Sequence, residues 1–156
     1  PKPDPTPQPD FPVTRFINVL NEYRASHRLG RLSVSFQLNA AAQNHAVWMD
    51  AQKRMSHTGD KRSDFFLRIK ATGYPLGSGA ENIAMMPNAS ENQVLNLWHN
   101  SYGHRVNMQG PYTEAGVGNS GAYWCLVLAT RYSNDLRHSD DSKQILAFGP
   151  NDASPS

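Results

Sequence analysis

One cysteine, Cys125, is the whole thiol inventory of this 156-residue chain, so an internal disulfide and a multi-cysteine zinc site are both excluded. It lies in the apolar run YWCLVLA, with no sequence neighbour that would activate a thiol, and reads as a buried core residue. An excess of one charge sign is also lacking. Fifteen Lys and Arg stand against thirteen Asp and Glu, no basic stripe forms, and a nucleic-acid surface is excluded. Long hydrophobic runs are missing, so no stretch has the length of a bilayer-spanning helix. HExxH, GxSxG, P-loop, EF-hand and dinucleotide fingerprints are absent as well.

What is present begins with proline. The opening PKPDPTPQPDFP denies the backbone both helix and sheet hydrogen bonding, and residues 1–12 read as a Pro-rich linker. Such a stalk follows a removed export signal or lipid anchor, which leads us to expect a secreted, periplasmic or cell-surface protein. At 38% hydrophobic residues the remainder suffices for one compact domain, residues 13–132. A polar extension, 133–156, follows it and makes one apolar return at ILAF, an edge strand or docking segment.

Within the domain, Phe16, Val19, Leu20 and Tyr23 recur at helical spacing up to a break near Leu29-Gly30. A second helix is expected from Gln37 to Lys53, burying Leu38, Ala41, Ala42, His45, Trp48 and Met49. His45, on that stripe, reads as a core histidine with hydrogen-bonded nitrogens, and Trp48 and Trp98 as core anchors. A short third helix runs from an Asp64 cap to Thr72 before Gly73. Ser90 to Gln93 form a capping box for a fourth, with Val94, Leu97, Trp98 and Ser101 inward and Gly103 as its end. Strands are expected at 81–85, 116–119 and 123–130, the last apolar enough to be central, with a turn at Ser120-Gly121. Helices and strands mix without a βαβ rhythm, so the fold class is α+β.

Polar groups capable of chemistry gather where these elements end: His57 in SHTG, Glu81 and Asn82 in AENIA, and Ser101, His104, Arg105 and Asn107 in SYGHRVN. The order SHTG, AENIA, W-x-x-S-x-GHR-x-N and YTEAGVG, behind two amphipathic helices, resembles the CAP superfamily. This group, also called SCP-like, comprises cysteine-rich secretory, antigen 5 and pathogenesis-related proteins. The likeness covers roughly Val13 to Ala129, and GHR makes it most similar to the bacterial branch.

The resemblance implies an α-β-α sandwich with a small antiparallel sheet, and a cleft in which two histidines and two glutamates bind zinc in some members. His57 and Glu81 match the first histidine and glutamate. The second glutamate is replaced by Ser101, and the second histidine, in a family GHYT, by Pro111 in GPYT. His104 is then the candidate third ligand, so the expected metal set is His57, Glu81 and His104, with zinc as a conditional cofactor.

The expected ligand cleft is His57, Glu81, Ser101, His104, Arg105 and Glu114, with Glu114 either pairing Arg105 or entering the cleft. Against this stands a hydrogen-bonded network that only ties loops to the sheet. Asn82 and Asn107 are expected to hold backbone groups. Ser101, three residues before His104, suggests an activated nucleophile, but a small cleft-lining or helix-end residue is the reading we favour. The function expected is an exported binding module for a small molecule, lipid or peptide. The alternative is a metal-assisted or serine-type hydrolase acting on peptide or cell-wall material.

Overall fold

The computed structural model describes residues 11–132 and 145–147. Pro1 to Asp10 of the expected linker and most of the C-terminal extension lie outside the described residues.

α1 (Phe11–Ser26) starts two residues ahead of Val13 and buries Phe16, Ile17 and Leu20. Arg24 continues the Phe16-Leu20 stripe and is only 2% exposed. Its guanidinium donates to Gly30 O at 2.8 Å, to Met108 O at 2.8 Å and to Gly110 O at 2.9 Å. The methylenes bury like an apolar side chain while the fork satisfies carbonyls that lack helical partners.

β1 (Ser33–Val34) leads into α2 (Phe36–Gln52), which Ser35 caps by accepting from Leu38 N at 3.2 Å. α3 (Phe65–Ala71) is capped by Asp64, whose carboxylate accepts from Leu67 N at 2.8 Å. β2 (Leu76–Met85) follows and is longer than the five-residue strand expected there. α4 (Glu91–His99) opens on the Ser90-Gln93 capping box. The helix stops at His99 rather than at Gly103. Ser101 turns extended, with φ −119° and ψ 122°, and stands at the N-cap position of a separate α5 (Tyr102–Met108) without a side-chain capping bond. Gly103 therefore sits in the first turn of a helix, not at the end of one. β3 (Glu114–Ser120) and β4 (Tyr123–Arg131) form a hairpin through Gly121, whose φ is +58°. β5 (Ile145–Ala147) takes up part of ILAF as an edge strand.

The strand order is β1-β3-β4-β2-β5. β2 and β3 both pair antiparallel with β4, whose apolar residues place it at the centre. The two edge pairs, β1 with β3 and β5 with β2, are parallel, so the sheet is antiparallel at its core and mixed at its margins.

Side chains alternate across this sheet and build two cores. Ala80, Ala84, Leu126 and Leu128 face a layer made by α1, α4 and α5, where Trp98 packs edge-on to Phe16 at 5.9 Å. Ile83, Cys125, Val127 and Ala129 face α2 and α3. α2 lies against β3 so closely that a Cβ on Gly116 would stand 2.2 Å from Leu38 C, and one on Gly118 2.4 Å from Gln43 Cα. This is the α-β-α sandwich expected, with Cys125 fully buried.

Candidate functional site

Glu81 and Asn82 occupy consecutive positions on β2 and point to opposite faces of the sheet. Glu81 pairs in register with Val127, on the α2/α3 side, and Asn82 with Leu126, on the α1/α4/α5 side. Each gathers a different set of groups.

The Glu81 carboxylate is fully buried. Its Oε1 accepts from His57 Nδ1 at 2.7 Å, and its Oε2 accepts from Arg68 Nη2 at 2.5 Å and from the Cys125 thiol at 3.4 Å. Burial raises its pKa, but the His57 hydrogen bond and the Arg68 charge outweigh burial and hold it at about 2. His57 and Arg68 keep 14% and 11% side-chain exposure, so they form the outer layer over a desolvated anion.

The SHTG loop is shaped around this centre. Ser56 O accepts from His45 Nε2 at 2.7 Å, and His57 O accepts from Arg68 Nη1 at 2.9 Å. A Cβ on Gly59 would stand 2.8 Å from His45 Nδ1, so glycine lets the loop press onto that ring. His45 is 1% exposed, as expected of a core histidine, and burial drives its pKa down. Against the expectation that both ring nitrogens are hydrogen-bonded, only Nε2 is; Nδ1 is buried without a hydrogen-bond partner among the described residues.

On the other face, Asn82 Nδ2 donates to His104 O at 3.1 Å, and Asn82 Oδ1 accepts from Asn107 Nδ2 at 2.9 Å. Asn82 thus holds backbone, as expected, whereas the Asn107 side chain bonds Asn82 rather than a backbone group among the described residues. Trp98 Nε1 donates to Ile83 O at 3.0 Å and ties α4 to the same strand. Ser101 Oγ and His104 Nδ1 share a hydrogen bond of 2.7 Å at the start of α5.

The expected residues therefore divide. His57 and Glu81 meet, whereas His104 arrives on α5, packed against the opposite face. Among the described residues no three His, Cys, Asp or Glu side chains are grouped to hold a metal ion, so His57, Glu81 and His104 do not make a ligand set. The pleat separates Glu81 from the face that α5 covers, and Ser101 and Pro111 supply no replacement ligand; the residues do not fit zinc.

Arg105 leaves the expected cleft, donating from Nη1 to His99 O at 2.7 Å and lying 5.7 Å over the Tyr102 ring. Glu114 pairs with neither Arg105 nor the Glu81 centre. It accepts from Tyr74 Oη at 2.5 Å and from Arg131 Nε at 2.9 Å. The nucleophile-base contact and the base-carboxylate contact belong to different histidines, His104 and His57, and a serine hydrolase gains no support from that split.

Arg68 is the site residue that sequence reasoning missed. The signal was its place beside Phe65, Ile69 and Thr72 on the inward face of α3, where an arginine must find an anion or carbonyls.

A model of the cysteine-rich secretory protein family, CAP, matches residues 17–124. An uncharacterised Bacillus subtilis protein, YkwD, is 28% identical over 113 residues, covering 70% of this chain and 44% of that protein. The chain thus spans less than half the length of this relative. A Bacillus anthracis crystal structure of an extracellular protein containing an SCP domain superposes with a TM-score of 0.73 at 22% identity, covering 82% of this chain and 45% of that one. An outer surface protein of Borrelia burgdorferi gives 0.69 at 18% identity, covering 76% and 91%. All three relatives are bacterial, as the GHR motif led us to expect.

Proposed function

Because the chain belongs to the cysteine-rich secretory protein family, the CAP or SCP-like superfamily, we propose that it is an exported binding module whose His57 centre takes a small polar molecule, a lipid or a peptide. The observation that carries this reading is the fully buried, ionised Glu81 hydrogen-bonded to a partly exposed imidazole. A buried ion pair is a poor way to gain stability, since an apolar pair of similar volume serves as well or better. Its distinctive effect here is to hold His57 in one orientation, with Nδ1–H on the carboxylate. Arg68 adds a fixed positive charge beside it, so the centre suits a ligand offering an anionic or carbonyl oxygen. Export is supported by the extracellular and outer-surface relatives.

The test is magnetic resonance of the histidine rings in the full chain during titration with peptidoglycan fragments, anionic lipid vesicles and an extended-peptide mixture. The expected result is a shift of the His57 resonances with one of the three probes, abolished by Glu81→Gln. A probe that binds while leaving His57 unmoved, or no response to any of the three, would overturn the reading.

A further inference from the structure

Across the sheet from Glu81, at the ends of α1 and α4, two histidines converge on one tyrosine. Tyr23 O accepts from His27 Nδ1 at 2.8 Å, and the Tyr23 hydroxyl lies 2.8 Å from His99 Nδ1. Gln109 Nε2 donates to the same hydroxyl at 2.8 Å, and Tyr23 packs on the His27 ring with centroids 4.5 Å apart. A carbonyl only accepts, so His27 carries its ring proton on Nδ1 and leaves Nε2 as a lone-pair nitrogen. When His99 likewise donates from Nδ1 to the tyrosine oxygen, both rings present Nε2 with Nδ1 held from behind. That is how metal-bound imidazoles are fixed by a second shell. All the hydrogen bonds of these two rings among the described residues are made through Nδ1.

The ring centres of His27 and His99 are 6.1 Å apart. With a metal-nitrogen bond near 2.1 Å, an ion sits about 3.2 Å from each imidazole centre, so two rings can share it out to a separation of about 6.4 Å. His27 is exposed, lying just beyond the end of α1, and His99, the last residue of α4, is half-buried. We propose that His27 and His99 form a two-imidazole site for a late first-row divalent cation, copper, nickel or zinc, which ties the end of α1 to the end of α4. Imidazole nitrogen selects this part of the series, and water completes the shell. The nearby Arg105, bonded to His99 O at 2.7 Å, opposes the ion's charge and keeps the affinity modest. This site is independent of the His57 centre.

Calorimetric titration of the tag-free full chain with nickel ion at neutral pH tests it, alongside the thermal midpoint with and without nickel. Wild type and His57→Ala should bind one equivalent and gain in midpoint. His27→Ala and His99→Ala should each weaken binding at least ten-fold and lose the gain, and Tyr23→Phe should weaken it about ten-fold by releasing His99. Exposed His27 makes its variant safe to fold, and the metal-free midpoints check both. No binding by wild type, binding unchanged in both variants, or weakening in one alone would overturn the shared site.

Discussion

Glu81 and Asn82 are neighbours on β2 and both fully buried, yet one is surrounded by charges and the other by neutral amides. The α2/α3 side carries an anion, a guanidinium and two imidazoles in contact with a loop whose outer residues reach solvent. The α1/α4/α5 side carries Asn82, Asn107 and a backbone carbonyl, sealed under Trp98 and Met108. The difference teaches where function and architecture divide. Neutral amides lock α5 to the sheet at small desolvation cost, whereas a buried carboxylate is costly to desolvate and needs strong partners. A polar network that only joins elements can be neutral, so the charged one marks the candidate site.

The largest break in this comparison is Arg68→Ala, which leaves Glu81 buried with only the His57 ring and the weak Cys125 thiol as donors and should lower stability in urea by about 3–5 kcal/mol. The double change Arg68→Met with Glu81→Leu should recover most of that. A loss in the single variant below about 1 kcal/mol would show that the charge is not desolvated in solution.

On the other face, Asn82→Ala removes the tie to His104 O, leaves Asn107 Nδ2 without its partner and should cost about 1–3 kcal/mol, less than the charged counterpart. The same urea titration measures both, and an equal or larger loss would reverse the ranking.

The two sides also differ in acid. Glu81 is held at about 2 against an ordinary 4.5, so its contribution is complete above pH 4.5 and is lost as pH falls toward 2. His45 lies below its ordinary 6.5 because of burial; its contribution is complete above that value and declines below it, since the unfolded chain takes a proton the folded ring resists. Stability should therefore fall below pH 6.5, at no more than about 1.4 kcal/mol per pH unit for each proton. His45→Gln should flatten the upper part of that fall, while Asn82→Ala should lower the whole curve without changing its shape.

The smallest effect is expected from Ser101→Ala, about 1 kcal/mol or less from one lost hydrogen bond. His57 ring resonances should stay in place, and a shift there would show that the two faces communicate.

Much of the frame was legible because local chemistry dictates it. Asp64 and Ser90 cap their helices, Phe16 and Leu20 face inward, and the apolar YWCLVLA run takes the sheet centre. Arg24 and Arg68 were not legible in this way. An arginine on a helix reads as a surface residue until its acceptors are known, and two of those of Arg24 lie 84 and 86 residues away. Gly103 signals the end of the fourth helix in the sequence, yet in the first turn of α5 glycine costs little and the Asn82 contact to His104 O holds the segment against β2. Glu114 was assigned to the cleft by its motif, but its partners are set by Tyr74 and Arg131 at the ends of other elements.

The sequence by itself determined the α+β class, the family, the caps and the meeting of His57 with Glu81, because each rests on residue type at short spacing or on motifs in order. Only the tertiary structure decided that Glu81 and His104 serve opposite faces, that Arg68 completes the anion's shell, and that His27 meets His99 across Tyr23. A strand's alternation is readable in one dimension, but which helix covers each face is settled by packing between residues far apart in the chain.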